Sequence, residues 1–216
     1  MPIITISRQY GSGGSAVAAR VAALLGWKLF DNAIVDAVAE QMGMAADRVR
    51  ALDERHPPLI ARLANTLALG APEVLSSEAG EAVLPPDELV RESTRRVMEE
   101  AVARGPVVVV GRGAQLVLSQ HADAIHVFCY APRHALAKRV AERESISEAE
   151  AARMVDQVNR QRALAVRRDY GRVWGAPENY HLCLNTEWLG IEQSAQIVVR
   201  SARDKFPANT PATTTG

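Results

Sequence analysis

Ile3-Ile4-Thr5-Ile6-Ser7-Arg8-Gln9-Tyr10-Gly11-Ser12-Gly13-Gly14-Ser15 is the stretch that decides the fold. Ile3, Ile4 and Ile6 form a β-branched apolar run of the kind a buried parallel strand needs. Three glycines follow within four residues, and Ala16 to Leu25 is then made of good helix formers. A strand, a glycine-rich loop and a helix in that order leave backbone N–H groups unpartnered at the helix N-terminus, where the macrodipole also favours negative charge. The stretch predicts a phosphate-holding loop over Arg8, Gln9, Tyr10, Gly11, Ser12, Gly13, Gly14 and Ser15, with a nucleotide as its ligand.

Beyond the first helix, Gly26 supplies a stop and Trp27 to Phe30 reads as a second strand. Asp31 ends it, where its carboxylate either caps a helix beginning near Asn32 or touches a ligand. Residues 44–81 predict a helix after Ala45, a break at His56-Pro57-Pro58 and a further helix to about Leu69, without chemistry that can be named. The prolines and glycines between Gly70 and Pro86 fit a substrate flap or a plain loop. Asp87 precedes an amphipathic helix through Ala103.

Val107 to Val110 is a continuous apolar run, as a central parallel strand buried on both faces requires. Gly111-Arg112-Gly113 leaves its carboxyl end, the edge at which open α/β sheets bind ligands. A bidentate guanidinium there suits a phosphate, although an arginine can equally be a solvated one. Ile125 to Tyr130 and Tyr180 to Asn185 complete five strands, with Pro132 opening one helix, a Ser147/Glu150 capping box opening another, and Ile191 to Ala202 closing the chain. His126 reads as packed on its strand, and Cys129 and Cys183 as small buried residues of theirs. Strands alternating with helices predict a three-layer α/β fold: a five-stranded parallel sheet, helices on both faces, and a helical lid over roughly residues 145–175. A single domain over 1–206 and a disordered Pro/Thr-rich tail over 207–216 are expected.

The chain of 216 residues carries 25 basic and 25 acidic side chains, so no overall field draws it to nucleic acid or an anionic membrane. No leader or spanning segment is read, and a cytoplasmic protein is expected, with a homo-oligomer left open. Arginine is nevertheless bunched late, at Arg153, Arg160, Arg162, Arg167, Arg168 and Arg172. Arg153, Arg160 and Arg167 recur every seven residues and so share a helix face, either a solvated face or a phosphate clamp.

The glycines admit two readings. Set against GxxxxGK[ST], Gly13 and Ser15 match, while Gly14 stands where the lysine belongs and Arg8 where the first glycine belongs. Set against the dinucleotide fingerprint, Gly11 to Ala16 satisfies GxGxxA and Asp31 lies at the right distance. Three residues separate the strand end at Ser7 from the first glycine, and the late arginines suit phosphoryl transfer, so the larger phosphate loop is favoured.

On ISRQYGSGG (6–14), FDNAIVDAVAEQMG (30–43), VVVVGRGA (107–114), VFCYAP (127–132) and residues 159–193, the chain resembles the cytidylate kinase-like proteins, a branch of the nucleoside monophosphate kinases. Members typically carry SR, an acidic or amide residue and YGSGG in place of the lysine-bearing loop. The resemblance implies ATP as phosphoryl donor with Mg2+, the loop from Arg8 to Ser15 on its phosphates, and Ser15 on the metal. It implies Arg112 and Arg162 on the acceptor phosphate, Arg153 and Arg160 as lid cations, and Asn159 where an aspartate stands near the nucleoside. Gly113 takes the place of an acidic residue that often follows Gly-Arg. The implied activity is transfer from ATP to CMP or dCMP; a binding module without catalysis, or a kinase for another small acceptor, are the alternatives.

Overall fold

The computed structural model describes residues 1–31, 95–96, 98–111 and 113–207. The chain divides into two compact units, one of Met1–Asp31 with Ala101–Gly216 and one of Asn32–Glu100. In the second, the described residues 95–96 and 98–100 are helical, which agrees with the end of the helix expected from Asp87. The expectations for the helix after Asn32, for residues 44–81, for Arg112 and for the tail beyond Pro207 lie outside the described residues.

The first unit holds a parallel sheet of β1 (Ile3–Arg8), β2 (Lys28–Phe30), β3 (Val107–Val110), β4 (Ala124–Tyr130) and β5 (Leu182–Asn185), in the order β2-β3-β1-β4-β5. β1 lies at the centre, with Ile4 opposite Val108 on one side and Ile125 on the other. Alternation sends Ile4, Ile6, Val108, Val110, Val127 and Cys129 to one face, where α1 (Gly14–Leu25) and α5 (Thr186–Lys205) cover them with Val17, Val21, Val198 and Ala202. Ile3, Thr5, Val107, Val109 and Phe128 point the other way and are also buried, as expected for parallel strands. On that side Phe128 stacks on Tyr180 with centroids 4.9 Å apart and meets the edge of Trp174 at 5.5 Å.

A short helix, α2 (Ala114–Val117), follows β3. α3 (Arg133–Glu144) and α4 (Glu148–Tyr170) pack on each other through Leu136, Val140, Ala151 and Val155, and α4 opens on the expected Ser147/Glu150 capping box. Several boundaries move. β1 runs on to Arg8, Trp27 leaves the second strand to pack against Phe206, and α5 begins at Thr186, capped by Asn185. Cys183 is exposed, contrary to expectation, because β5 is an edge strand with an uncovered flank; Cys129 is buried, and burial pushes its thiol up to about 12.

His126 is indeed packed. Its Nδ1 is 2.8 Å from Thr5 Oγ1, its ring stacks on His181, and its backbone N–H donates to His181 Nδ1. Burial, then the neighbouring His181 and His121, pull its pKa down to about 4. The unfolded chain therefore binds a proton that the folded one refuses, so stability is complete above the ordinary histidine value and is lost as pH falls through it. Between pH 7 and 5 this loss amounts to about 2 kcal/mol. Urea midpoints are expected to fall accordingly over that range and to fall less in His126→Gln; parallel profiles would remove His126 as the cause.

Candidate active site

The phosphate loop is built between the carboxyl ends of β1 and β4. Gln9 N–H donates to Cys129 O, and Gln9 Oε1 accepts from Ala131 N–H at 3.1 Å, so this side chain braces the loop from within. That explains an acidic or amide residue here: either supplies the acceptor. Ser12 is buried, and its Oγ donates to Gln9 O at 2.8 Å and accepts from Gly14 N–H. Its carbonyl is held from outside by Thr186 Oγ1 at 2.6 Å and Arg139 Nη1 at 3.2 Å. Arg139 also donates to Thr186 O. With that carbonyl turned to α3 and α5, the N–H groups of Gly11, Gly13, Ser15 and Ala16 have no acceptor among the described residues, the set an anion would take.

Arg139 and Thr186 escaped the sequence reading. Thr186 follows directly on the carboxyl end of β5, the ligand edge of the sheet, and that position was the available signal. Arg139 offered none, being one arginine in a charged helix.

Glycine at position 11 is fixed by shape. It has φ 82°, and a Cβ there would lie 2.6 Å from Leu136 O and 2.9 Å from Val140 Cγ2. Gly113 similarly caps α2 at φ 67°, and a Cβ there would lie 2.7 Å from the Tyr170 ring. The absence of an acidic residue after Gly-Arg thus has a local cause: the Tyr170 ring occupies the space.

α4 lies against this loop. Asn159 Oδ1 accepts from Tyr10 N–H at 2.8 Å, and Arg162 Nη1 donates to Arg8 O at 2.7 Å. The Tyr10 ring packs under the guanidinium of Arg143, 4.9 Å from its centroid, with that of Arg162 at 6.0 Å. An aspartate at 159 would accept the same N–H, but it would add negative charge beside a phosphate site. Arg153 and Arg160 are exposed on the opposite side of α4, since Ala151, Val155, Val158 and Val166 take its inner face. The structure brings Asn159 and Arg162 to the loop and leaves Arg153 and Arg160 away from it.

Asp31 is 3.3 Å from Arg8 Nη2, both side chains 21% exposed. Arg162 has a pKa lowered to about 10, first by burial and then by the positive charge of Arg8. Two part-buried guanidiniums thus repel each other at the mouth of a loop rich in unpartnered N–H groups. The Ser15 hydroxyl is exposed in the first turn of α1. Among the described residues no cluster of three His, Cys, Asp or Glu could hold a metal ion. A divalent cation would fit here as one shared between this hydroxyl and a bound phosphate chain.

The strand order separates the two readings of the glycines. A dinucleotide fold places its second strand next to its first, whereas here β3 lies between β1 and β2. No helix among the described residues is long and apolar enough to cross a membrane.

Comparison with known proteins agrees with this topology. A family model described as "Cytidylate kinase-like family" matches residues 3–188. The cytidylate kinase of Ignicoccus hospitalis is 27% identical over 201 residues, 93% of this chain and 98% of that protein. The uronate isomerase of Corynebacterium glutamicum is 30% identical over 146 residues, and the chain spans 28% of the length of that relative. Among solved structures, an uncharacterized protein from Eubacterium ventriosum superposes with a TM-score of 0.66 at 19% identity, covering 94% of this chain and 98% of that one. A gluconokinase from Sinorhizobium meliloti superposes with a TM-score of 0.51 at 15% identity, covering 94% of each chain. At such identities these structures show a shared P-loop kinase fold and nothing about substrate.

Proposed function

Because the chain belongs to the cytidylate kinase-like family, we propose that it is an ATP-dependent nucleoside monophosphate kinase with CMP or dCMP as its first candidate acceptor. The observation that carries the reading is the pair of mutually repelling, part-buried arginines, Arg8 and Arg162, beside the unpartnered loop amides. Asp31 offsets part of this charge, and a bound anion would offset more of it. The family membership and the end-to-end match to a cytidylate kinase support a nucleotide phosphate as that anion.

In the reaction, an oxygen of the acceptor phosphate attacks the γ-phosphorus of ATP as the bond to the β-bridging oxygen breaks, and ADP leaves. The acceptor oxygen is already anionic, so no base is needed. The loop amides of Gly11, Gly13, Ser15 and Ala16 hold the phosphate chain, and Arg162 neutralises charge that develops on the transferred group. Mg2+, when bound through Ser15, adds charge neutralisation on the outer phosphates. Arg112, which follows β3, is assigned to the acceptor phosphate, and residues 145–175 to the cover that excludes water.

The test is ADP release with CMP, dCMP, UMP, shikimate and gluconate as acceptors. Turnover is expected with CMP or dCMP, and Arg112→Ala is expected to lower it about a hundredfold while ATP affinity changes less than about threefold. Equal loss of both would remove Arg112 from the acceptor site. ATP binding without turnover of any acceptor would favour a binding module instead.

A further inference from the structure

We propose that this loop has exchanged its cation and its glycine across the junction of β1 and α1: Arg8 carries the charge that a lysine at position 14 brings to the outer phosphates of the donor. The inference rests on the reading of the loop as an ATP site. In GxxxxGK[ST] the first glycine and the lysine fall at positions 8 and 14; here they are Arg8 and Gly14.

The geometry sets side chains at the two positions against each other. Arg8 and Cys129 pair across the sheet and both project toward the α1 side, where Gly14 begins the helix. A Cβ on Gly14 would collide with Arg8 Cβ, and it would lie 3.0 Å from Arg8 Cγ and 3.1 Å from Cys129 Cβ. The collision is with the first side-chain carbon, so side chains at both 8 and 14 require the strand or the helix to shift. Neither atom is the free end of a flexible chain.

Arg8 then runs on to the carboxyl end of β3. A Cβ on Gly111 would collide with Arg8 Nη1, and Arg8 Nη2 is 3.3 Å from Asp31. The absence of a side chain at Gly14 thus makes room for the root of Arg8, and its absence at Gly111 makes room for the guanidinium. The charge lies at Gly111, at the carboxyl end of β3, and beside Asp31. A lysine at 14 would deliver an ammonium from the helix side, whereas Arg8 delivers a planar fork from the strand side.

The experiment compares the wild-type chain with Arg8→Gly, Arg8→Gln, Arg8→Lys, Gly14→Lys and the double variant Arg8→Gly/Gly14→Lys. Affinities for ATP and for inorganic tripolyphosphate are measured by calorimetry, and folding by thermal melts. Arg8→Gly and Arg8→Gln are expected to bind both ligands about tenfold to a hundredfold more weakly, the loss of one charge-assisted contact. Arg8→Lys is expected to stay within about fivefold of wild type. Gly14→Lys alone is expected to melt early and bind poorly, and the double variant to regain both folding and affinity. Arg8→Gln binding tripolyphosphate as wild type does would overturn the proposal. So would a double variant that melts normally yet binds no better than Arg8→Gly, or a wild-type chain that binds neither ligand. Because this readout needs no acceptor, affinities that follow the charge while CMP, dCMP and the other acceptors all go unphosphorylated would sink only the kinase reading.

Discussion

Gly11→Val is expected to abolish measurable ATP binding and to lower the melting temperature by roughly 10 °C, from left-handed strain and overpacking together. At φ 82° a β-branched residue is strained wherever it stands, and here its Cβ would also press on the Leu136 carbonyl oxygen at 2.6 Å. That oxygen belongs to the first turn of α3 and cannot retreat without disturbing the start of the helix. The loop must move instead, and α3 also carries Arg139, which holds the Ser12 carbonyl. The set of inward amides is therefore lost along with the packing. Gly26→Val is the control: it meets the same backbone problem at φ 66°, with nothing within 4 Å. It should cost about 1–3 kcal/mol of stability and leave ATP affinity intact. Calorimetric titration with ATP decides the matter, and Gly11→Val binding within threefold of wild type would show that the loop tolerates displacement from α3.

Arg162→Met is expected to separate stability from activity. Removing the guanidinium forfeits its hydrogen bond to Arg8 O, on the order of 1.5–3 kcal/mol for a charge-assisted bond. It also relieves a buried charge and its repulsion with Arg8, both of which hold the Arg162 pKa down to about 10. A methionine of similar length keeps the apolar contact with Tyr10. The balance leaves the urea midpoint nearly unchanged, while phosphoryl transfer is expected to fall about a hundredfold or more for want of one preorganised cation. Stability and turnover should be measured on the same preparation. A variant that turns over normally would exclude Arg162 from the chemistry, and one that unfolds readily would make it a structural residue first.

How legible each part was follows from the physics that placed it. The β-branched run before the glycines, the valine run at 107–110 and the capping box are local signals, and the strands and helices they announce are present. The edge position of β5 is not local, so the exposure of Cys183 was invisible in the sequence. The missing lysine was legible as a mismatch, but its cause was not, because the contact between positions 8 and 14 depends on where the helix returns over the strand. Asn159 stood out by resemblance to a nucleoside contact; that its carboxamide oxygen also accepts from the Tyr10 N–H of the loop was not legible. Arg153 and Arg160 carried the same compositional signal as Arg162; only the apolar positions that settle which face turns inward separate them.

One helix, α4, touches both glycine turns of the site. Asn159 and Arg162 rest on the loop after β1, and Tyr170 rests on Gly113 after β3. About three helical turns of stiff backbone join those contacts, a span of roughly 16 Å. Such a strut cannot yield at one end without carrying the other with it. Under the proposed reading, with donor and acceptor at the two turns, whatever free energy the first invests in seating the helix would lower or raise the affinity of the second by the same factor in both directions. Order of addition would then change the kinetics of filling the site, yet leave its final occupancy the same.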